Sequence, residues 1–200
     1  VAHAGAEATL TGYFIGFAGA QILHGPIADR LGRRPVLLFW IAAYSLAGFA
    51  CVIAPSVGAL VTARVVQAIA AAAPIVLART IVRDVHSGVR AGRLFSLMAS
   101  ITGIMPIVAP LFGGFLEAHF GWRSNFVVMA VLGLAAFLAV LFALPETLRE
   151  KSPEPLTAAG ILISFRHVIG NPRFRVYAAI LGFAYAGLFT YIGVSSFIVQ

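Results

Sequence analysis

Charged side chains that could pair with one another are concentrated in one short stretch, residues 25–35, which reads GPIADRLGRRP. Asp29 stands four residues before Arg33, close enough for an ion pair if the stretch is helical. An Asp here can also accept backbone N–H groups at the start of a helix, and Gly25 and Gly32 permit a tight reversal and a close approach of helices. Two further cations complete the stretch, Arg30 and Arg34. We therefore expect a compact charged turn between two helices.

One formally charged side chain, Arg64, lies within a long apolar run, residues 57–78. A charge inside a membrane span is costly unless it faces a partner or a water-filled cavity, so such a residue indicates a functional site. Alternatively, Arg64 lies about eight residues, or roughly 12 Å, from the helix start near Ser56 and could extend toward the membrane surface. The sequence leaves both interpretations open.

Prolines and glycines are concentrated in another apolar run, residues 94–116. Pro106 and Pro110 are four residues apart, so the backbone hydrogen bonds that they remove lie on one face of a helix. The pair Gly113 and Gly114 would let another helix approach closely. Because Gly and Pro are common in membrane helices, this pattern alone does not identify a function.

Sequence patterns of several other chemistries are missing. There is no G-x-x-x-x-G-K-S/T phosphate loop, H-E-x-x-H, G-x-S-x-G or C-x-x-C, and Cys51 is the single cysteine, so neither a disulfide framework nor a cysteine metal site is available. Four histidines are expected at helix ends in an interfacial role rather than as metal ligands: His24, His86, His119 and His167. We expect no metal and no cofactor, and an ion gradient or the substrate's own gradient as the energy source.

The elements that must position these residues are long apolar helices. The chain is 60% hydrophobic and 10% charged, with a mean hydropathy of +0.97, which lies outside the range of soluble proteins. A bilayer core needs about 20 apolar residues per helix, and long runs without period-two alternation predict helices. Six runs qualify: residues 8–24, 35–54, 57–78, 94–116, 124–144 and 176–199. The sequence therefore predicts an all-α polytopic membrane protein.

The basic residues predict the orientation of these spans. Twelve of the 14 Lys and Arg residues lie in segments 25–34, 79–93 and 145–175, which places these segments in the cytoplasm and allows Arg30, Arg33 and Arg34 to act simply as topological anchors. Because the basic residues form no continuous face, the net charge of +7 does not indicate nucleic-acid binding. This orientation puts the N-terminus outside without a signal peptide, so we expect a further helix before the chain.

Residues 145–175 differ from the rest of the chain in being polar, Pro-rich and charged at both ends. Five apolar residues within them recur at helical spacing, which predicts an amphipathic helix on the membrane surface: Ile161, Leu162, Phe165, Val168 and Ile169. Asn171 and Pro172 are typical of the cap and first turn of the next helix. We interpret residues 1–144 as one helical bundle, 145–175 as a linker, and 176–200 as the first helix of a second bundle.

The charged stretch resembles the signature G-x-x-x-D-R/K-x-G-R/K-R/K that major facilitator superfamily transporters carry between their second and third helices. The resemblance implies the helical bundle of that superfamily, present here in part as about helices two to seven of twelve. It also implies that Asp29 and Arg33, with Asp84, form a cytoplasmic latch against the other bundle, made in the outward-facing state and broken when the cytoplasmic side opens. The residues assigned to this latch are Gly25, Asp29, Arg30, Gly32, Arg33, Arg34 and Asp84.

Residues 60–72, LVTARVVQAIAAA, resemble the superfamily pattern L-x-x-x-R-x-x-Q-G-x-G-A-A, with alanines in place of two glycines. The resemblance implies that Arg64 and Gln67 take part in proton coupling.

Residues 103–114, GIMPIVAPLFGG, resemble the antiporter motif G-P-x-x-G-G, with Ala109 in place of the first glycine. The resemblance implies that this helix packs against the second bundle and acts in the rocking between inward and outward states. The residues assigned to it are Gly103, Pro106, Ala109, Pro110, Gly113 and Gly114.

Three further strings, ARTIVRDVHSG, APLFGGFLEAHFGWRSNF and LPETL, resemble the Bcr/CflA branch of bacterial drug/proton antiporters. This implies proton-coupled export of small amphipathic drugs across the bacterial inner membrane by alternating access, and we expect a monomer whose partners are the bilayer, the substrate and protons. Candidate substrate-lining residues are Tyr13, Phe17, Gln21, Ser100 and Met105, for each of which ordinary helix packing is an alternative. A same-fold exporter of a sugar, nucleoside or siderophore and a non-transporting membrane scaffold remain alternative functions.

Overall fold

The computed structural model describes residues 2–148, 150 and 157–198, without the side chains of residues 2–10, 158, 159, 161, 163, 164 and 188–198. Within these residues all regular secondary structure is helical, so the predicted all-α membrane fold is confirmed. The helices are α1 (Ala2–Leu31), α2 (Arg33–Ile53), α3 (Val57–Val85), α4 (Gly88–Phe120), α5 (Arg123–Ala143), α6 (Ala158–Gly170) and α7 (Pro172–Ile198). They belong to two compact units, residues 1–153 with α1–α5 and residues 154–200 with α6 and α7.

Among the residues that the structure describes, four helices are long and apolar enough to cross a membrane: α2, α3, α4 and α5. They contain nearly all of the predicted spans 35–54, 57–78, 94–116 and 124–144. The predicted spans 8–24 and 176–199 fall on α1 and α7, for which the structure describes only part of the side chains.

Two helices are longer than their apolar runs. The expected connection 79–93 is largely helical, because α3 continues to Val85 and α4 begins at Gly88. The physical reason is that backbone hydrogen bonds extend a helix through polar residues, whereas hydropathy records only the part that suits lipid.

Helix α3 lies at the centre of the first unit, in contact with α1 and α2, and α2 also contacts α5. Four of the buried residues of α3 are alanines: Ala68, Ala70, Ala72 and Ala73. Near the charged turn the core contains Ala28, Val36, Leu37, Ile41, Ala73 and Leu77. Because lipid gives no hydrophobic force between helices, small residues that let backbones approach supply van der Waals packing instead.

The contact of α2 with α5 depends on glycines. A Cβ atom at Gly133 would lie 2.5 Å from the Ser45 hydroxyl oxygen, and one at Gly48 would lie 2.9 Å from the Cβ of Ala130. Ser45 also donates a hydrogen bond to the carbonyl oxygen of Ala130 at 3.1 Å. Glycine is therefore required at both positions for the observed helix separation.

The second unit begins with a capped helix. The Thr157 hydroxyl accepts a hydrogen bond from the Gly160 N–H at 3.1 Å, which starts the predicted amphipathic helix as α6. The Asn171 side-chain oxygen accepts one from the Arg173 N–H at 3.0 Å, and α7 begins at Pro172. Asn171 and Pro172 are thus the cap and first turn of α7, as the sequence predicted.

Candidate functional site

The charged turn between α1 and α2 consists of a single residue, Gly32. Its backbone angles, φ 112° and ψ 150°, lie in a region that is essentially restricted to glycine. A Cβ atom at Gly32 would also lie 2.5 Å from the Glu146 side-chain oxygen Oε2. Both the backbone conformation and the space available therefore require glycine here.

Arg33 joins three helices at this turn. Its guanidinium forms an ion pair with Asp29 of α1, and its Nε donates a hydrogen bond to Asp84 Oδ2 of α3 at 3.1 Å. The side chain of Arg33 is only 7% exposed, whereas Asp84 is 23% exposed and Asp29 48% exposed. A nearly buried cation is thus stabilised by two carboxylates that remain open to water.

The sequence-based role of Asp29 as an acceptor at the start of α2 is wrong. Asp29 lies inside α1, which continues to Leu31, and its carboxylate faces Arg33. The start of α2 is capped by a residue that the sequence analysis missed, Glu146, whose carboxylate accepts the backbone N–H of Arg33 at 2.9 Å and that of Arg34 at 3.2 Å. Glu146 lies within the string LPETL, which was used in the sequence analysis only for its family resemblance.

Glu146 also accepts the N–H groups of Thr147 and Leu148, at 2.9 and 3.0 Å. Partial burial of the carboxyl group opposes its ionisation, but the four backbone N–H groups together outweigh this effect. The pKa of Glu146 therefore lies below its usual range. Its negative charge also suits the N-terminus of α2, where the helix dipole is positive.

Two other members of the charged stretch have different surroundings. Arg34 donates from Nη2 to the carbonyl oxygen of Leu141 at 2.8 Å, and so satisfies an open carbonyl in the last turn of α5. Arg30 is exposed. The predicted close helix approach at Gly25 is wrong, because Gly25 lies within α1 and an added Cβ would meet no described atom within 4 Å.

Arg64 lies between aromatic side chains of α1 and α5. Its guanidinium carbon is 4.4 Å from the ring centre of Tyr13 and 5.5 Å from that of Phe126, distances at which cation–π attraction operates. Its Nη1 donates a hydrogen bond to the fully buried Gln67 at 2.8 Å. The charge is thus surrounded by two π faces and one amide oxygen.

Two glycines bring Tyr13 to this position. A Cβ atom at Gly12 would lie 3.1 Å from a methyl carbon of Val65, and one at Gly16 would lie 3.3 Å from the Val65 carbonyl oxygen. They therefore allow the close approach of α1 to α3 that places the Tyr13 ring over Arg64.

The predicted substrate-lining residues are not all brought together. Phe17 stacks on Tyr13, with ring centres 6.1 Å apart, so these two lie beside Arg64. Three others are exposed, Gln21 on α1 and Ser100 and Met105 on α4.

The residues of the predicted antiporter helix lie in the middle of α4, which continues as a helix through both prolines. Pro106 and Gly113 are half-buried, and the Asn125 amide of α5 donates a hydrogen bond to the Gly113 carbonyl oxygen at 3.4 Å. The remaining residues are exposed: Gly103, Ala109, Pro110 and Gly114. Of the six, the structure therefore brings Gly113 into hydrogen-bonded contact with α5.

The interfacial role predicted for His24 is wrong. The imidazole is 1% exposed, stacks on Trp40 with ring centres 4.7 Å apart, and has Nε2 at 3.0 Å from the Ile69 carbonyl oxygen. Since a carbonyl oxygen only accepts hydrogen bonds, Nε2 carries the proton. In the described part of the chain, no group of three His, Cys, Asp or Glu side chains could hold a metal ion.

Comparison with known proteins gives consistent matches. Residues 1–199 match the Major Facilitator Superfamily. The multidrug resistance protein MdtM of Salmonella typhimurium is 32% identical over 95% of this chain and 46% of its own length. The bicyclomycin resistance protein homolog of Haemophilus influenzae is 30% identical over 95% of this chain and 48% of its own length. This chain therefore spans about half the length of these curated relatives.

A solved structure has the same fold. The crystal structure of the human organic anion transporter MFSD10 (TETRAN) superimposes with a TM-score of 0.61 at 22% identity, covering 79% of this chain and 36% of that chain.

Proposed function

Because the chain belongs to the major facilitator superfamily of multi-pass membrane transporters, we propose that the whole protein is a proton-coupled exporter of small amphipathic drugs. The names of its relatives support this substrate class, since they include a multidrug and a bicyclomycin resistance protein. The transport cycle is alternating access around a site in the middle of the membrane. Its energy comes from the proton gradient, so that no cofactor is needed.

The observation that carries the proposal is the position of Arg33 between Asp29 and Asp84. Removing one partner from a buried charge costs free energy. The cluster therefore stabilises the conformation of the transporter in which Arg33 keeps both carboxylates. Because both carboxylates are partly exposed, they can exchange the guanidinium for water or another partner when the helices move. The cluster therefore has the properties of a latch that stabilises one end state.

Arg64 and Gln67 are the proposed elements of proton coupling. A guanidinium held within a span biases the ionisation of any nearby acid toward the charged form. Tyr13 and Phe17 supply the adjacent aromatic surface, which suits apolar and cationic compounds.

The proposal also includes the oligomeric state, the location and the domain bounds. The protein is a monomer in the bacterial inner membrane, with the basic segments 25–34, 79–93 and 145–175 in the cytoplasm. Residues 1–144 belong to the first bundle, 145–175 to the linker, and 176–200 to the first helix of the second bundle.

Expression of the gene in a bacterial strain without its own multidrug exporters tests the proposal. Cells loaded with ethidium should export the dye, and a protonophore should stop export. Arg64→Gln should abolish export, whereas Arg123→Gln, which removes an exposed charge at the start of α5, should retain it. Export that persists with the protonophore would contradict antiport.

Two outcomes would contradict parts of the proposal. Transport of a sugar, nucleoside or siderophore without dye export would indicate another substrate class on the same fold. Normal export by Asp29→Asn would contradict the latch.

A further inference from the structure

Basic side chains are concentrated where α6 meets α7, and neither helix contains an acidic residue. Arg166 and His167 lie near the end of α6, and Arg173 and Arg175 lie in the first turn of α7. The sequence contains no Asp or Glu after Glu154. Within its own sequence the second unit therefore has one carboxylate side chain, Glu154, which precedes α6, and none on α6 or α7.

A cavity of about 660 Å³ opens at this junction. Its lining residues are Arg166, His167, Gly170, Asn171, Pro172 and Arg173. Gly170 contributes no side chain, and a Cβ atom there would meet no described atom within 4 Å. The α6–α7 cavity thus has room for a ligand between two guanidinium groups.

Local electrostatics at the start of α7 favour an anion. The N-terminus of a helix carries partial positive charge, so cations are unfavourable in the first turn and anions are favourable. Arg173 and Arg175 lie there, and no acidic residue does. The Asn171 side chain accepts the Arg173 N–H at 3.0 Å, but an amide brings no net charge.

The apolar neighbours of the cavity indicate where the anion comes from. On α6, Leu162, Val168 and Ile169 are large apolar side chains that are 70%, 44% and 54% exposed. On α7, Val176 and Tyr177 follow directly and are 58% and 68% exposed. A helix with exposed apolar residues and basic neighbours lies in the interface of a bilayer, at the level of the phosphate groups. A soluble anion would leave this apolar surface exposed to water, whereas a phospholipid would cover it with its acyl chains.

We propose that the α6–α7 cavity binds the headgroup phosphate of an anionic phospholipid, with Arg166 and Arg173 bound to the phosphate oxygens. The planar guanidinium matches phosphate oxygens in two parallel hydrogen bonds, so two arginines facing one cavity can hold a single headgroup. The site belongs to the second unit alone and does not depend on the transport function.

Native mass spectrometry of the purified protein in a neutral detergent tests this site. Phosphatidylglycerol should bind more tightly than phosphatidylcholine of the same chain length. A basic side chain that contacts an anionic headgroup contributes about fivefold to the affinity for that lipid, so Arg166→Gln combined with Arg173→Gln should weaken phosphatidylglycerol binding about 25-fold.

Arg175→Gln is the matched control, because it removes the same charge two residues from Arg173 but does not line the cavity. It should change the affinity by less than about twofold, because Arg175 is not one of the two arginines that would contact the bound headgroup. Equal losses from all three single substitutions would overturn the proposal in favour of general attraction to the bilayer surface.

Two measurements on the unaltered protein keep the test decisive if the double variant does not fold. Equal affinity for phosphatidylglycerol and phosphatidylcholine would overturn the proposal. Displacement of the lipid by millimolar inorganic phosphate would overturn it as well, since it would identify the occupant as a soluble anion.

Discussion

Glu146, which follows α5, accepts the backbone N–H of Arg33 at the start of α2, with an oxygen–nitrogen distance of 2.9 Å. The residue before Arg33 is Gly32, which has no side chain to cap its own helix. A carboxylate 113 positions later in the chain supplies the cap instead. The same two segments are joined a second time, because Arg34 donates to the Leu141 carbonyl oxygen at 2.8 Å. The end of α5 and the start of α2 therefore satisfy each other's free backbone groups.

Replacing Glu146 should destabilise the first unit. Loss of an N-cap costs about 0.5–2 kcal/mol, so Glu146→Ala should lower the free energy of unfolding by this amount, and Glu146→Gln, which keeps one acceptor oxygen, by less. Thermal unfolding in detergent measures the difference. Glu150→Ala removes an exposed carboxylate nearby and should have no measurable effect. Equal destabilisation by both alanine variants would show that the capping bonds contribute nothing.

The same carboxylate predicts a pH dependence of stability. Because the folded protein lowers the pKa of Glu146, the unfolded chain takes up a proton first as the pH falls. The ionised Glu146 contributes fully to the free energy of unfolding above about pH 4.3, the usual pKa of a glutamate. This contribution is lost as the pH falls through the lower pKa that Glu146 has in the folded protein. The melting temperature of the unaltered protein should therefore fall more steeply below that pH than that of Glu146→Gln. Parallel curves for the two proteins would contradict the assignment.

The two signature glycines of the charged stretch should respond in opposite ways to alanine. Gly32→Ala places a side chain on a backbone conformation restricted to glycine and against Glu146, and strain of this kind costs about 1–3 kcal/mol. Gly25→Ala adds a methyl group to open space inside α1 and should stabilise the helix by about 0.5–1 kcal/mol. Urea or thermal unfolding of the two variants measures both effects. Equal destabilisation would mean that Gly25 is also tightly packed.

The Tyr13 ring should stabilise the position of Arg64. A cation–π contact contributes about 0.5–2 kcal/mol, depending on how far the pair is removed from water. Tyr13→Leu should lower the unfolding free energy by an amount in this range. Tyr13→Phe keeps the ring and should therefore keep most of the stabilisation. If Arg64→Gln is introduced first, Tyr13→Leu should cost less, because the cation is already absent. Equal costs of Tyr13→Leu in both backgrounds would show that the ring acts only through packing.

What could be predicted from the sequence rests on local or one-dimensional properties. A membrane span needs about 20 apolar residues whatever its neighbours are, so hydropathy located the spans on α2–α5. The cap at Asn171 and the start of α7 at Pro172 follow from the chemistry of adjacent residues. The pairing of Asp29 with Arg33 could also be predicted, because the two residues lie four positions apart along one stretch of chain.

Only the tertiary structure decided which distant residues meet. Whether a helix end is capped by its own chain neighbour or by Glu146, and whether His24 faces the bilayer surface or Trp40, depends on which helices are adjacent and how they are rotated. Spacing along one helix carries no information about either. Gly25 and Gly32 are both glycine positions of the same sequence signature, but their surroundings differ. Gly25 lies inside α1 next to open space, whereas Gly32 forms a left-handed turn beside the Glu146 carboxylate.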